Sequence, residues 1–182
     1  VFLLSQEGTL WRMKPDRSWE IIPLDYVTSA AISADQKLLL TGHRDGCLSG
    51  IHIENRQVAF TGQTISQSPV HRLVPHHNGE MLMALSENTV IFNLAQSSIS
   101  ATRDHDSDTP LAGAWVPGQR FFITGHKSTS LFLWEMTADK PAREFFGHDE
   151  EISALVVSPD GHHFATGDTG GNVRLWALDW VW

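Results

Sequence analysis

A small-residue strand followed by a turn returns about every 40 residues along this chain, and that period constrains the fold more than any other property. The turn falls at Ser5, His43, Ser86, His126 and Asp168. A second turn recurs before the same strand, as Ser33-Ala34-Asp35-Gln36, Pro75-His76-His77-Asn78-Gly79, Val116-Pro117-Gly118-Gln119 and Ser158-Pro159-Asp160-Gly161. The segments between turns alternate or are continuously apolar, and none sustains a helical period. A four-stranded twisted sheet has two apolar faces and cannot hide both alone. Radial stacking of such sheets buries both faces and leaves only short edges exposed. The sequence therefore predicts one all-β domain over 1–182, built from antiparallel sheets around a common centre. Units are expected at about 1–24, 27–64, 68–104, 109–147 and 148–182, the first and last carrying three strands and the others four. Eighteen strands do not divide into fours. An arc of a larger ring is expected, completed by a missing chain or by self-association, with a small five-bladed ring as the alternative.

The stretch 147–177 carries the pattern most completely: Gly147-His148, a strand from Ile152, Ser158-Pro159-Asp160-Gly161, His163-Phe164-Ala165-Thr166-Gly167 and Val173-Arg174-Leu175-Trp176. It resembles the WD40-repeat family, whose blades form β-propellers that usually close with seven and serve as binding platforms. That resemblance implies a polar network in each blade, made by a His, a Thr or Ser, an Asp and a Trp. Its places fall on His148, Thr166 and Trp176 in the last unit, with Gly170 in the Asp place and Asp168 two residues earlier. In the fourth unit they fall on His105, Thr124 and Trp134, with Ser128 for Asp. The second unit offers Thr41 and Asp45 but has Ile51 for Trp, and the third has Asn93 there. The dipeptide that names the family survives as Trp134-Glu135 and Trp176-Ala177.

Composition narrows the partners. The formal charge of −8 disfavours nucleic acid, because binding phosphates needs clustered Lys and Arg. Protein or peptide partners, basic ones in particular, are expected instead. No apolar run approaches the ~18 residues of a membrane span, so no membrane contact by this domain is expected. Val1 to Leu4 lack the basic flank and cleavage site of a signal peptide, and a start on Val suggests a piece of a longer chain. The lone Cys47 permits no internal disulfide and fits a reducing, cytoplasmic setting, with a membrane-associated parent retained as an alternative.

Candidate contact residues gather in the turns after the small-residue strand and in the loops between units. They are His43, Arg44, Glu87, Asp104, Asp106, His126, Lys127, Asp149 and Glu150, expected on one face of the disc. Opposite-charge steering would draw a partner there. His76-His77 and His162-His163 read as exposed turn residues, because adjacent His on separate hairpins do not converge into a four-ligand zinc site. Asp104-His105-Asp106-Ser107-Asp108 starts like a calcium loop, but Thr109-Pro110 replaces the turn Gly and Trp115 the bidentate Glu. No metal or cofactor is expected. Ser128, Ser130 and His126 lack a nucleophile elbow and a matched acid. The leading expectation is a non-catalytic protein-interaction scaffold. One alternative is a regulatory domain of a multidomain bacterial protein, such as a phosphate-type ABC permease, because Ala177-Leu178-Asp179-Trp180-Val181-Trp182 resembles the junction before such a membrane part. The other is a hydrolase or lyase on a propeller scaffold.

Overall fold

The structure is a computed structural model that describes residues 2–5, 8–24, 26–118 and 120–178. Val1, Gln119 and the Trp180 and Trp182 of the closing segment lie outside the described residues. Among the described residues eighteen strands form five antiparallel sheets, each in simple sequential order. The first holds β1 (Phe2–Leu4), β2 (Leu10–Met13) and β3 (Trp19–Ile22). The second holds β4 (Val27–Ile32), β5 (Leu38–His43), β6 (Cys47–His52) and β7 (Val58–Thr64). The third holds β8 (Arg72–Pro75), β9 (Met81–Leu85), β10 (Thr89–Asn93) and β11 (Ser98–Arg103). The fourth holds β12 (Pro110–Trp115), β13 (Phe121–His126), β14 (Leu131–Glu135) and β15 (Pro141–Phe145). The fifth holds β16 (Ile152–Val157), β17 (His163–Asp168) and β18 (Val173–Ala177).

Short side chains close the turns between strands. Asp35, Asp45, Asn55, Asn78 and Asp160 each accept the backbone N–H two residues on, a local bond that competes with continued extension and reverses the chain. The inner strands β4, β8, β12 and β16 lie against one another in succession, which gives the sheets their radial order. The guanidinium of Arg72 on β8 reaches the carbonyl of Ser153 on β16 at 3.4 Å, tying the third sheet to the fifth.

Neighbouring sheets are sealed by apolar side chains from facing surfaces. Ala112, Ile123, Leu131 and Leu133 of the fourth sheet pack on Ile152, Leu155 and Phe164 of the fifth. Leu40 and Leu48 of the second meet Val70, Leu73, Leu82 and Phe92 of the third unit. Each such side chain contributes about 1.5–3 kcal/mol when fully buried. Glycine sets the closest approach: a methyl group placed on Gly42 would lie 2.6 Å from Val70 Cγ1, and one on Gly125 would overlap Ile152 Cγ2. These two glycines are sockets for a branched side chain at the start of the next unit.

Gly167 occupies the same place in the fifth sheet, but a methyl there meets only Ala154 of its own sheet and the Asn172 carbonyl, at ordinary distances. The surface around it is apolar and bare, with Val156, Val173 and Leu175 at 63%, 77% and 75% exposure. The opposite end of the stack also shows apolar residues, Leu3, Trp19 and Ile21, on the face of the first sheet turned away from the second.

Candidate protein-interaction face

The turns after β5, β13 and β17 are bonded to the segments that lead into the inner strands. Arg44 N–H donates to Tyr26 O, Lys127 N–H to Thr109 O and Thr169 N–H to Glu151 O, at 2.9, 3.0 and 2.9 Å. Turns and inter-unit loops therefore open on one end of the stack. Arg44, Glu87, Asp104, Asp106, Lys127, Asp149 and Glu150 are all exposed. Lys127 approaches Glu151 at 3.9 Å. The Glu87 carboxylate is held by Ser68 Oγ at 2.7 Å, by Ser66 Oγ at 3.2 Å and by Gln67 N–H. The Ser68 hydroxyl bond is the main reason its pKa lies below the usual carboxylate value.

Beneath this face run the polar networks, and the fifth sheet shows the whole chain of bonds. Trp176 Nε1–H donates to Thr166 Oγ1 at 2.8 Å. His148 Nε2 lies 2.7 Å from the same oxygen, and His148 Nδ1 lies 2.8 Å from Asp168 Oδ2. One hydrogen placement satisfies all three contacts: the Thr166 hydroxyl donates to Nε2, and Nδ1–H donates to the carboxylate. Asp168 also accepts Asn172 N–H, and the His148 bond is the largest cause that lowers its pKa to about 2. Asp168 itself thus fills the acid role, and Gly170 does not take the family's Asp place.

The fourth sheet runs the same relay with the partners exchanged. Trp134 Nε1–H donates to Thr124 Oγ1 at 2.9 Å, and Thr124 Oγ1 lies 2.8 Å from His126 Nε2. His126 Nδ1–H points at the Asp108 carbonyl, 3.0 Å away, with the Asp108 carboxylate at 3.3 Å. The imidazole therefore comes from the turn and the acid from the preceding loop, the reverse of the fifth sheet. Two expectations are corrected here. His126 is fully buried and is no surface contact residue. His105 does not serve Thr124; it bonds Thr89 Oγ1 of the third sheet at 2.9 Å. Its ring stands edge-on to His126 and Trp134 at 4.5 and 5.2 Å. Burial, then the neighbouring His126, drives the pKa of His105 down to about 3, and burial also lowers that of His126.

In the second sheet Thr41 Oγ1 meets His43 Nε2 at 3.1 Å, and Ile51 pairs with Leu39 where Trp134 pairs with Phe122. His43 is half-buried, so it too folds inward. Asp45 stays in its turn and caps Cys47 N–H, outside the network. In the third sheet Ala84 stands at the Thr position, and Phe92, not Asn93, pairs with Leu82 at the Trp position. His76 is another correction: it is buried, edge-on to Trp115 at 4.6 Å, whereas His77, His162 and His163 are exposed. Among the described residues no three His, Cys, Asp or Glu side chains group as metal ligands, and no helix is long and apolar enough to cross a membrane.

Four-stranded antiparallel sheets stacked about inner strands, with indole-to-hydroxyl-to-imidazole relays inside them, define a β-propeller of the WD type. The WD40-repeat family matches in part: the model described as "WD domain, G-beta repeat" matches residues 23–49 and 139–177. The second match takes in β15 with β16–β18, so the sequence repeat straddles two sheets. The chain is 26% identical to target of rapamycin complex subunit wat1 of Schizosaccharomyces pombe over 162 residues, covering 84% of this chain and 51% of that protein. It is 29% identical to a guanine nucleotide-binding protein subunit beta of Solanum tuberosum, covering 96% of this chain and 52% of that protein. The LST8 homolog of Drosophila melanogaster is 26% identical, over 62% of this chain and 37% of its own length. The chain thus spans about half, or less, of these relatives. The crystal structure of the computationally designed Ika4 protein superposes with a TM-score of 0.74 at 16% identity, covering 86% of this chain and 94% of that one. At that identity the likeness concerns the fold alone.

Proposed function

We infer that this chain is a non-catalytic protein-interaction scaffold that presents turn and loop residues at one end of its sheets. The supporting observation is the bonding of turns 44, 127 and 169 to the inter-unit loops, which sets Asp104, Asp106, Asp149 and Glu150 exposed at the same end over sheets held by buried relays. Rigid presentation lowers the ordering cost of binding, and clustered carboxylates steer a basic peptide toward that end. The relatives named above as complex or G-protein subunits support a binding role. No specific observation favours a transporter-regulating domain or a hydrolase. Asp104→Asn, Asp106→Asn, Asp149→Asn and Glu150→Gln together are expected to weaken capture of a basic peptide at least tenfold, with an unchanged circular dichroism spectrum. Undiminished capture would place the contact elsewhere.

The same reading takes the five sheets as an arc of a larger, seven-bladed ring. The bare face around Gly167 supports it, because the matching faces around Gly42 and Gly125 each receive a branched residue of the next unit. Sedimentation of this chain should show concentration-dependent association that Leu175→Lys disperses. A monomer at all concentrations would remove self-association as the route to closure.

A further inference from the structure

The outermost strand of each of the first four sheets lays one side chain inward against the next sheet. In β7 it is Phe60, the one buried residue of that strand, packed on Phe92 of the third sheet with ring centroids 5.3 Å apart. In β15 it is Phe145, on Phe164 and Trp176 of the fifth sheet at 5.1 and 5.8 Å. In β11 it is Arg103, buried and bonded to Met136 O of the fourth unit at 2.7 Å. In β3 the corresponding residue is Ile22, at the pairing position of Phe145, and it faces Leu39 and Ile51 where the other seams present Phe or Trp. Three aliphatic side chains stand where two or three aromatic rings seal the other seams. The shortfall is a cavity of about 310 Å³ between the first and second sheets, walled by Phe2, Ile22, Leu39, Ile51 and Ile53.

The rim of this cavity is basic on an acidic chain. Glu20 accepts Arg56 Nη2 at 2.8 and 3.0 Å, with Lys14 Nζ at 3.6 Å and Arg12 Nη1 at 3.9 Å. Three cations share one carboxylate there, whereas the chain as a whole carries a net charge of −8. Arg56 is well exposed and its guanidinium has donors beyond the two that Glu20 uses. The volume sits at the lower end of the ~300–1,000 Å³ range of small-ligand pockets, room for one large side chain.

We propose that the seam between the first two sheets is a second binding site, which takes an aromatic side chain of an acidic peptide. The ring enters among Ile22, Leu39 and Ile51 and supplies the aromatic contact that Phe60 and Phe145 supply elsewhere. Carboxylates flanking it meet Arg12, Lys14 and Arg56. The cavity lining includes none of Asp104, Asp106, Asp149 and Glu150, and the site takes partners of opposite charge, so the two proposals stand or fall separately.

The test uses the whole chain and fluorescein-labelled heptapeptides read by anisotropy: Asp-Glu-Asp-Phe-Glu-Asp-Glu, the same peptide with Ala for Phe, and a third with Lys for every acid. The Phe peptide is expected to bind at least tenfold tighter than either control. Ile22→Phe, which fills the cavity with the plug the other seams use, should weaken it at least tenfold. Arg56→Ala, at an exposed position, with an unchanged circular dichroism spectrum, should weaken it several-fold. The four-fold neutral variant of the acidic face should leave it unchanged. No binding of the Phe peptide, equal binding of either control, or indifference to both Ile22→Phe and Arg56→Ala would each overturn the proposal.

Discussion

Removing the hydroxyl at the centre of a relay tests what the relays contribute to the stack. In Thr124→Val, Trp134 Nε1–H loses its acceptor and His126 Nε2 loses its donor. Each lost bond is worth about 0.5–1.5 kcal/mol, and a buried donor left unpaired adds about 1–3. Trp134 is only 3% exposed, so water cannot replace the acceptor, and a total of about 2–4 kcal/mol follows. In Thr166→Val the indole belongs to Trp176, which is half-buried and open to water, so about 1–2 kcal/mol is expected. In Thr41→Val one 3.1 Å contact to His43 is lost and no indole is involved, which leaves about 0.5–1.5 kcal/mol. Urea unfolding followed by tryptophan fluorescence gives the three values from midpoint and slope. A Thr124 variant within 0.5 kcal/mol of the native chain, or a Thr41 variant as costly as it, would show that the relays are bystanders to packing.

Acid should weaken the chain in two stages. The folded-state pKa of His105 is about 3, below the ordinary 6.5, so its neutral form stabilises the fold fully above pH 6.5 and progressively less as pH falls toward 3; His126, also lowered by burial, acts in the same direction. Each such group contributes a slope of up to about 1.4 kcal/mol per pH unit in that window. Asp168, lowered to about 2 from 3.8, stabilises above 3.8 and loses its contribution between those values. Stability measured from pH 7 to 4 should therefore fall, and His105→Gln should flatten the fall; an unchanged slope would refute the assignment. Arg103 is buried with Nε unpartnered, so Arg103→Met should leave stability within about 1 kcal/mol of native or raise it, whereas Arg103→Ala should cost about 3 or more in thermal unfolding. Gly125→Ala should cost about 1–3 kcal/mol through its clash with Ile152, while Gly167→Ala should be silent in this chain and costly wherever a further blade covers it.

The all-β class and the antiparallel order of the strands were legible because strands buried on two faces must read as short apolar runs broken by turn residues. The relay roles were less legible, for reasons that particular residues make plain. A chain of bonds from indole to hydroxyl to imidazole to acid needs its members in series, not at fixed places. His126 with Asp108 and His148 with Asp168 therefore satisfy it from opposite sides. Phe92 was missed because the turn 86–88 is two residues shorter than 168–172, which slides the following strand relative to its neighbours. The inward role of His76 depends on Trp115, a residue of the next unit that no local pattern links to it. The seam cavity was invisible for the same reason: it arises from what three separate strands jointly fail to fill.

A stack fastened by unequal pins yields first at the weakest. With Phe60, Arg103 and Phe145 holding three joints and Ile22 the fourth, mechanical or thermal stress should part the first sheet from the second before any other pair, making that joint the natural hinge of the assembly.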